Sequence, residues 1–187
     1  MQTVDHTPAA NADGDGRRRL VKRVLFGFMM ACFVTFWIWA LFFASKEAVN
    51  KIRDTAWAER AQQICVQATE DRIALADSRL VAESGPTAVE ERAEIVDRAT
   101  DILDRMIDDL VAVEPTDEKG MAIVPKWEAD YRAYLQDRRN FANELRATGE
   151  NRAFYESKAD AIPISERIAT FAGDNRMSAC SPPNDLS

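Results

Sequence analysis

One stretch of the chain has no alternation of apolar and polar residues, and the stretches after it alternate with a helical period. From Val24 to Ala44 there is no charged residue. About 21 helical residues at 1.5 Å each cross roughly 30 Å of hydrocarbon, which predicts a transmembrane helix over residues 20–44. Further on, Ile52, Ala56, Ala61, Ile64, Cys65, Ala68 and Leu75 follow a mostly three- and four-residue progression. That period predicts a helix from Lys46 to Leu80. No Gly or Pro separates it from the apolar run, so the two are expected to join without a break. The string "AESGP" then ends it.

The next pattern is the clearest. Val89, Val96, Leu103 and Leu110 recur every seven residues, and Ala99, Met106 and Val113 supply the alternate seam. Ile95, Ile102 and Ile107 widen the stripe beyond that of a two-stranded coiled coil, as in a helix inside a bundle. Thr87 and Glu90 have the spacing of a capping box, and Pro115 marks the end. A twelve-residue connection, "EPTDEKGMAIVP", leads to a helix expected to start near Pro125. Its stripe is Trp127, Tyr131, Tyr134, Phe141 and Leu145, with Gly149 as the stop. A short last helix carries Ile164, Ile168 and Phe171 on one side and closes at Gly173. No strand pattern matches these in strength. The expected fold is all-α: one transmembrane helix, then an antiparallel bundle over residues 45–180 with three long helices and a short fourth, and a flexible tail over 181–187.

Charge orients this layout. Arg17, Arg18, Arg19, Lys22 and Arg23 precede the apolar run, and such cationic flanks are retained in the cytoplasm. Residues 1–19 are therefore expected to be a disordered, basic cytoplasmic tail, and everything after Ser45 is expected outside. Trp37, Trp39, Phe42 and Phe43 suit the outer interface. A cleaved secretory signal fits less well, because the apolar core is long and Phe42-Phe43-Ala44 is a poor cleavage site. "MMAC" faintly matches a lipoprotein box and "RRRLVK" a twin-arginine address. Neither accounts for the length of the run.

Residues 1–44 hold five basic and three acidic residues of the 24 and 31 in the chain, leaving 19 and 28 outside, a net −9. Nucleic acid and anionic lipid surfaces repel such a domain, so no nucleic-acid partner is expected. Within the membrane, Gly27, Ala31 and Thr35 form a small-residue ridge of the kind that permits a homodimer.

Candidate chemistry is sparse. Cys32 falls mid-membrane; Cys65 and Cys180 are the one pair left in an oxidising space, and they are expected to form a disulfide. Closing a loop of over 100 residues, that bridge is worth about 4–5 kcal/mol in the chain-entropy model. Glu94, Asp97, Asp101, Asp104 and Asp108 share one helical face, read as solvated rather than as a cation site, since no Ca²⁺-loop pattern accompanies them. Arg72 and Arg138 each interrupt an apolar stripe. In one reading their heads snorkel to nearby carboxylates such as Asp71 or Asp137. In the other they line an aromatic-walled groove with Trp127, Tyr131 and Tyr134 that suits an anionic or aromatic ligand. The single histidine, His6, lies in the cytoplasmic tail, and no phosphate loop or dinucleotide fingerprint occurs. No enzyme activity, cofactor or metal is expected.

The strings "AERAQQIC" and "ACSPP" resemble those of uncharacterised single-pass bacterial envelope proteins with a disulfide-stapled helical ectodomain. The resemblance implies no activity. The Arg-over-Lys bias and abundant Ala and Asp fit a GC-rich bacterial genome. The expected function is a membrane-anchored structural or protein-interaction module of the cell envelope, with an envelope protein or a second copy as partner. Trp127, Tyr131 and Tyr134 are its candidate contact residues. The alternative is a sensor-like ectodomain for an anionic or aromatic small molecule.

Overall fold

The computed structural model describes residues 12–43, 47–75 and 87–186. Among them are five α-helices: α1 (Ala12–Phe42), α2 (Thr55–Ile73), α3 (Ala88–Val111), α4 (Glu118–Thr148) and α5 (Ile164–Asp174). A two-stranded ribbon, β1 (Lys158–Ala159) and β2 (Ile162–Pro163), precedes α5, and a 3-10 turn, Ser178–Cys180, follows it. The protein is mostly helical, as expected. It divides into two compact units, Met1–Glu47 and Ala48–Ser187.

In the first unit, α1 carries the apolar run. Its stretch Arg17–Phe42 is 26 residues, long and apolar enough to cross a membrane, and its apolar window has no buried share. The helix starts at Ala12, so residues 12–19 are helical where a disordered tail was expected. Extending an existing helix costs far less than nucleating one, and the apolar segment supplies the nucleus. Residues 1–11, on which the rest of that expectation falls, lie outside the described residues.

The second unit corrects several helix ends. Within the expected helix from Lys46 to Leu80, residues 47–54 are not helical, and among the described residues α2 gives way to a turn at Ala74 and Leu75. The backbone there finds partners elsewhere. The Ile52 amide donates to Asn175 Oδ1 at 2.8 Å, and Asn175 donates to the Asn50 carbonyl at 3.0 Å. Asp54 then caps α2 by accepting from the Trp57 amide at 2.9 Å, and it also accepts from the Thr116 amide at 2.8 Å. This capping turns Trp57 and Ala58 inward in place of Ala56. Residues 76–86, including Leu80 and "AESGP", lie outside the described residues.

Thr87 is the N-cap of α3 but forms no capping box: its hydroxyl donates to Glu91 at 2.8 Å. The seam of Val96, Leu103 and Leu110 is buried with Ala99 and Met106, whereas Val113, past the helix end, is 54% exposed. α4 begins seven residues before Pro125, so the link from α3 is short. Asp117 accepts from the Gly120 amide at 3.0 Å and starts the helix there. Pro125 is tolerated inside α4 because both it and Met121, whose carbonyl loses a donor, are exposed. The ribbon before α5 turns through Asp160 (φ 53°) and Ala161 (φ 65°). Two-residue strands leave no alternation to read.

α3 and α4 share the most extensive helix contact, and α2 and α5 pack on opposite members of that pair. The larger core cluster includes Trp57, Cys65, Leu110, Trp127, Tyr131 and Ile168. A smaller one gathers Ala93, Val96, Phe141, Ala142, Leu145 and Leu186. Phe154 packs against both, and edge-on aromatic contacts run from Trp127 through Tyr131, Tyr134 and Phe154 to Phe141.

The acidic face of α3 is not simply solvated. Three heptad-spaced arginines of α4 reach across to it. Arg132 pairs with Asp104 and Asp108, Arg139 with Asp101 and Asp104 at 2.9 and 2.8 Å, and Arg146 with Glu90 and Asp97 at 3.1 and 2.6 Å. Each pair is partly exposed and contributes at most about 1 kcal/mol, so the row sets register more than stability.

A Cβ on Gly120 would lie 2.6 Å from Asp117 Oδ2 and 2.8 Å from Pro115 Cβ, while one on Gly173 meets nothing within 4 Å. Helix propensity alone favours alanine at both positions. Gly120→Ala is nevertheless expected to destabilise by roughly 1–3 kcal/mol through crowding of the cap. Gly173→Ala is expected to be neutral or to stabilise by about 0.5 kcal/mol. Denaturant midpoints of the two variants check the contrast.

Candidate functional site

The seam of α3 contains one buried polar residue, Thr100, and the stripe of α4 contains one buried charge, Arg138. Packing the two helices brings them together: Arg138 Nε donates to Thr100 Oγ1 at 3.0 Å, and Thr100 donates to the Val96 carbonyl at 2.6 Å. The Arg138 side chain is 0% exposed. A guanidinium so placed requires an anion, because an uncompensated buried charge costs several kcal/mol.

Asp185 supplies it. Arg138 donates from Nη1 to Asp185 Oδ1 at 2.6 Å and from Nη2 to Oδ2 at 3.1 Å, a bidentate fork. Arg72, from the last turn of α2, donates to the same Oδ2 at 3.2 Å. Tyr134 completes the wall. Its hydroxyl donates to the Pro183 carbonyl at 3.1 Å and accepts from Arg138 Nη1 at 3.4 Å, and its ring lies 5.8 Å from the Arg138 guanidinium carbon. Tyr131 is 0% exposed, and its hydroxyl has no hydrogen-bond partner in the structure.

Two arginines that the sequence singled out are thus joined, but by neither Asp71 nor Asp137. Asp137 is engaged by the Ser157 amide at 2.7 Å and hydroxyl at 2.9 Å. Asp71 accepts from Gln67 at 2.9 Å. The expected flexible tail is also corrected. Residues 181–186 pack on the domain, with Leu186 5% exposed in the smaller core cluster. Asp185 and Leu186 are both bound, which a purely polar reading of "SPPNDLS" does not anticipate. Trp127, Tyr131 and Tyr134 are buried, so they belong to the core rather than to a contact surface. Trp127 packs 5.3 Å from Phe171 and donates its indole N–H to the Ile168 carbonyl.

Cys65 and Cys180 stand as expected, with sulfurs 2.09 Å apart and Cα atoms 5.0 Å apart across a separation of 115 residues. Both are buried. Cys32 is unpaired on α1, and Arg17, Arg18, Arg19, Lys22 and Arg23 lie exposed on its first half. Among the described residues no group of three or more His, Cys, Asp or Glu side chains is placed to hold a metal. His6 lies outside them.

The electrostatics of the cluster suit charge recognition. Burial pushes the Tyr131 hydroxyl far up, with a further push from Tyr134, and burial raises Tyr134 as well. Burial would raise the Asp185 carboxyl, but hydrogen bonds from Arg138 and the charges of Arg138 and Arg72 outweigh it and hold the group below its ordinary value of 3.8. Near neutral pH the tyrosines stay protonated and Asp185 stays charged. Beside the cluster runs a groove of about 630 Å³, lined among others by Arg92, Tyr134, Arg152, Phe154, Pro183 and Leu186.

Thr100, Pro183, Asp185 and Leu186 escaped the sequence reading. Two signals pointed to them: a hydroxyl within the buried seam at 96–103 and an Asp-Leu pair closing a proline-led segment. No protein-family model, no curated protein and no solved structure matches the chain.

A carboxyl held below its unfolded value stabilises the fold fully above that value and loses its contribution as pH falls through the folded one. Wild-type stability is therefore expected to drop as pH falls below 3.8. Asp185→Asn is expected to be less stable at neutral pH and to lose less on acidification, which denaturant midpoints at neutral and acid pH read directly.

Proposed function

We propose that the chain is a single-pass membrane protein of the cell envelope whose helical domain, an up-and-down bundle over residues 48–187, is an extracytoplasmic protein-interaction module. The division of the chain carries this reading. α1 exposes an apolar run of bilayer length, whereas the second unit closes a core of its own and holds two cysteines at bonding distance. Five cationic residues on one side of the run support a cytoplasmic N-terminus. Disulfide-bonded cysteines fit an oxidising compartment.

The interaction role draws on how the core is filled. The aromatics of α4 pack on one another and on Phe171. What the domain offers to the outside is a surface with a groove and a half-open carboxylate contact. A second reading, a sensor for an anionic small molecule, draws on the buried Arg138 and the unpartnered Tyr131 hydroxyl.

Protease added to spheroplasts carrying the full chain is expected to degrade the domain and leave a membrane-embedded fragment of α1. A domain that survives outside protease and is cut only after lysis reverses the orientation, and with it the extracytoplasmic role.

A further inference from the structure

We propose that Arg72, Arg138 and Tyr131 form a carboxylate-recognition site, that Asp185 is its replaceable occupant in cis, and that the site takes an acidic peptide with an Asp-Leu pair in trans. The proposal rests on the interaction-module reading only for where such a peptide is met.

The occupant is held as a peptide ligand is held. Residues 181–186 form no helix or strand. They attach through one carboxylate in a guanidinium fork, one backbone carbonyl accepting from Tyr134, and one apolar anchor, Leu186. These are the side-chain and main-chain contacts by which extended peptides are recognised. Arg138 is completely enclosed, while the Asp185 side chain is 25% exposed, so the outer edge of the contact is open to water. Replacing the carboxylate requires no helix to unfold.

The fit of the present occupant is incomplete. Two guanidinium groups face one carboxylate. The Tyr131 hydroxyl is buried without a hydrogen-bond partner, and its ring lies 6.2 Å from that of Tyr134, which borders Arg138. A buried donor left unpaired is costly, and a ligand oxygen within its reach recovers that cost. Space for the flanks of such a ligand adjoins the site. The 630 Å³ groove runs along Pro182, Pro183 and Leu186, with Arg92 and Arg152 on its wall. Glu156 and Glu166 also line it, and Glu156 accepts from the Ser165 amide and hydroxyl, both at 2.7 Å.

The test uses the full chain in detergent micelles and a fluorescein-labelled peptide of sequence SPPNDLS, residues 181–187. The double variant Asp185→Asn, Leu186→Ala is expected to bind it at least about ten-fold tighter than wild type, since buried charge pairs dominate such contacts. Adding Arg72→Gln to that variant is expected to weaken binding by about ten-fold, and a peptide with Asn in place of its Asp is expected not to bind. A helical double variant that binds the peptide no better than wild type, or binds the Asn peptide equally well, overturns the proposal. Should the double variant not fold, hydrogen exchange on wild type decides. Excess peptide is expected to raise exchange of the buried Leu186 amide, and unchanged exchange at peptide well above the millimolar local supply of tethered Asp185 refutes the proposal. Neither measurement depends on which side of a membrane the domain occupies, so its failure is distinguishable from a failed protease test.

Discussion

A guanidinium group with no exposure to solvent dictates much of how this domain closes. Arg138 sits in the middle of an apolar stripe, where transfer from water is costly unless an anion and hydrogen-bond acceptors travel with it. The acceptors come from α3 through Thr100 and from α4 through Tyr134, but the anion comes from 47 residues further along the chain. The last part of the domain is therefore as much a part of the core as the helices. Leu186 is buried one residue after Asp185, so the charge and the apolar anchor seat together.

Both irregular ends of the domain follow the same logic. Residues 50–54 precede α2 and residues 175–186 follow α5, and beyond the 3-10 turn Ser178–Cys180 neither stretch has a helix or strand of its own to satisfy its backbone. Asn175 ties the first to the second, Asp54 ties the first to the α3–α4 link, and Cys180 lies against Cys65 of α2. Between these ends the α3–α4 pair is registered by Arg132, Arg139 and Arg146, a cationic heptad meeting an acidic row of matching period. Weak exposed pairs of this kind choose one register among several that an apolar seam alone would allow.

The helical stripes were legible because burial imposes a period, and Val96, Leu103, Leu110, Tyr131, Phe141 and Leu145 all fall where the period puts them. The cysteine pair was legible because one of the three cysteines, Cys32, falls in the apolar run, which leaves one combination. Helix starts were less so. A start depends on which side chain reaches the free amides, and Asp54 and Asp117 outcompeted the uninterrupted Lys46 stretch and Pro125. The partner of Arg72 and Arg138 was illegible for a different reason. Local spacing favours Asp71 and Asp137, whereas the observed partner is close only after the whole domain has folded. A buried arginine announces that an anion is needed without saying where in the chain it resides.

The cysteine bond has a consequence for the Asp185 contact that its distance from α2 in sequence conceals. With Cys180 fixed, Asp185 hangs on a leash of five residues, and a group so confined experiences an effective concentration on the order of millimolar. A free competitor must exceed that local supply before it gains a foothold. Cutting the sulfur link would lengthen the leash to the run back to α5, dilute the resident carboxylate and loosen its hold on Arg138.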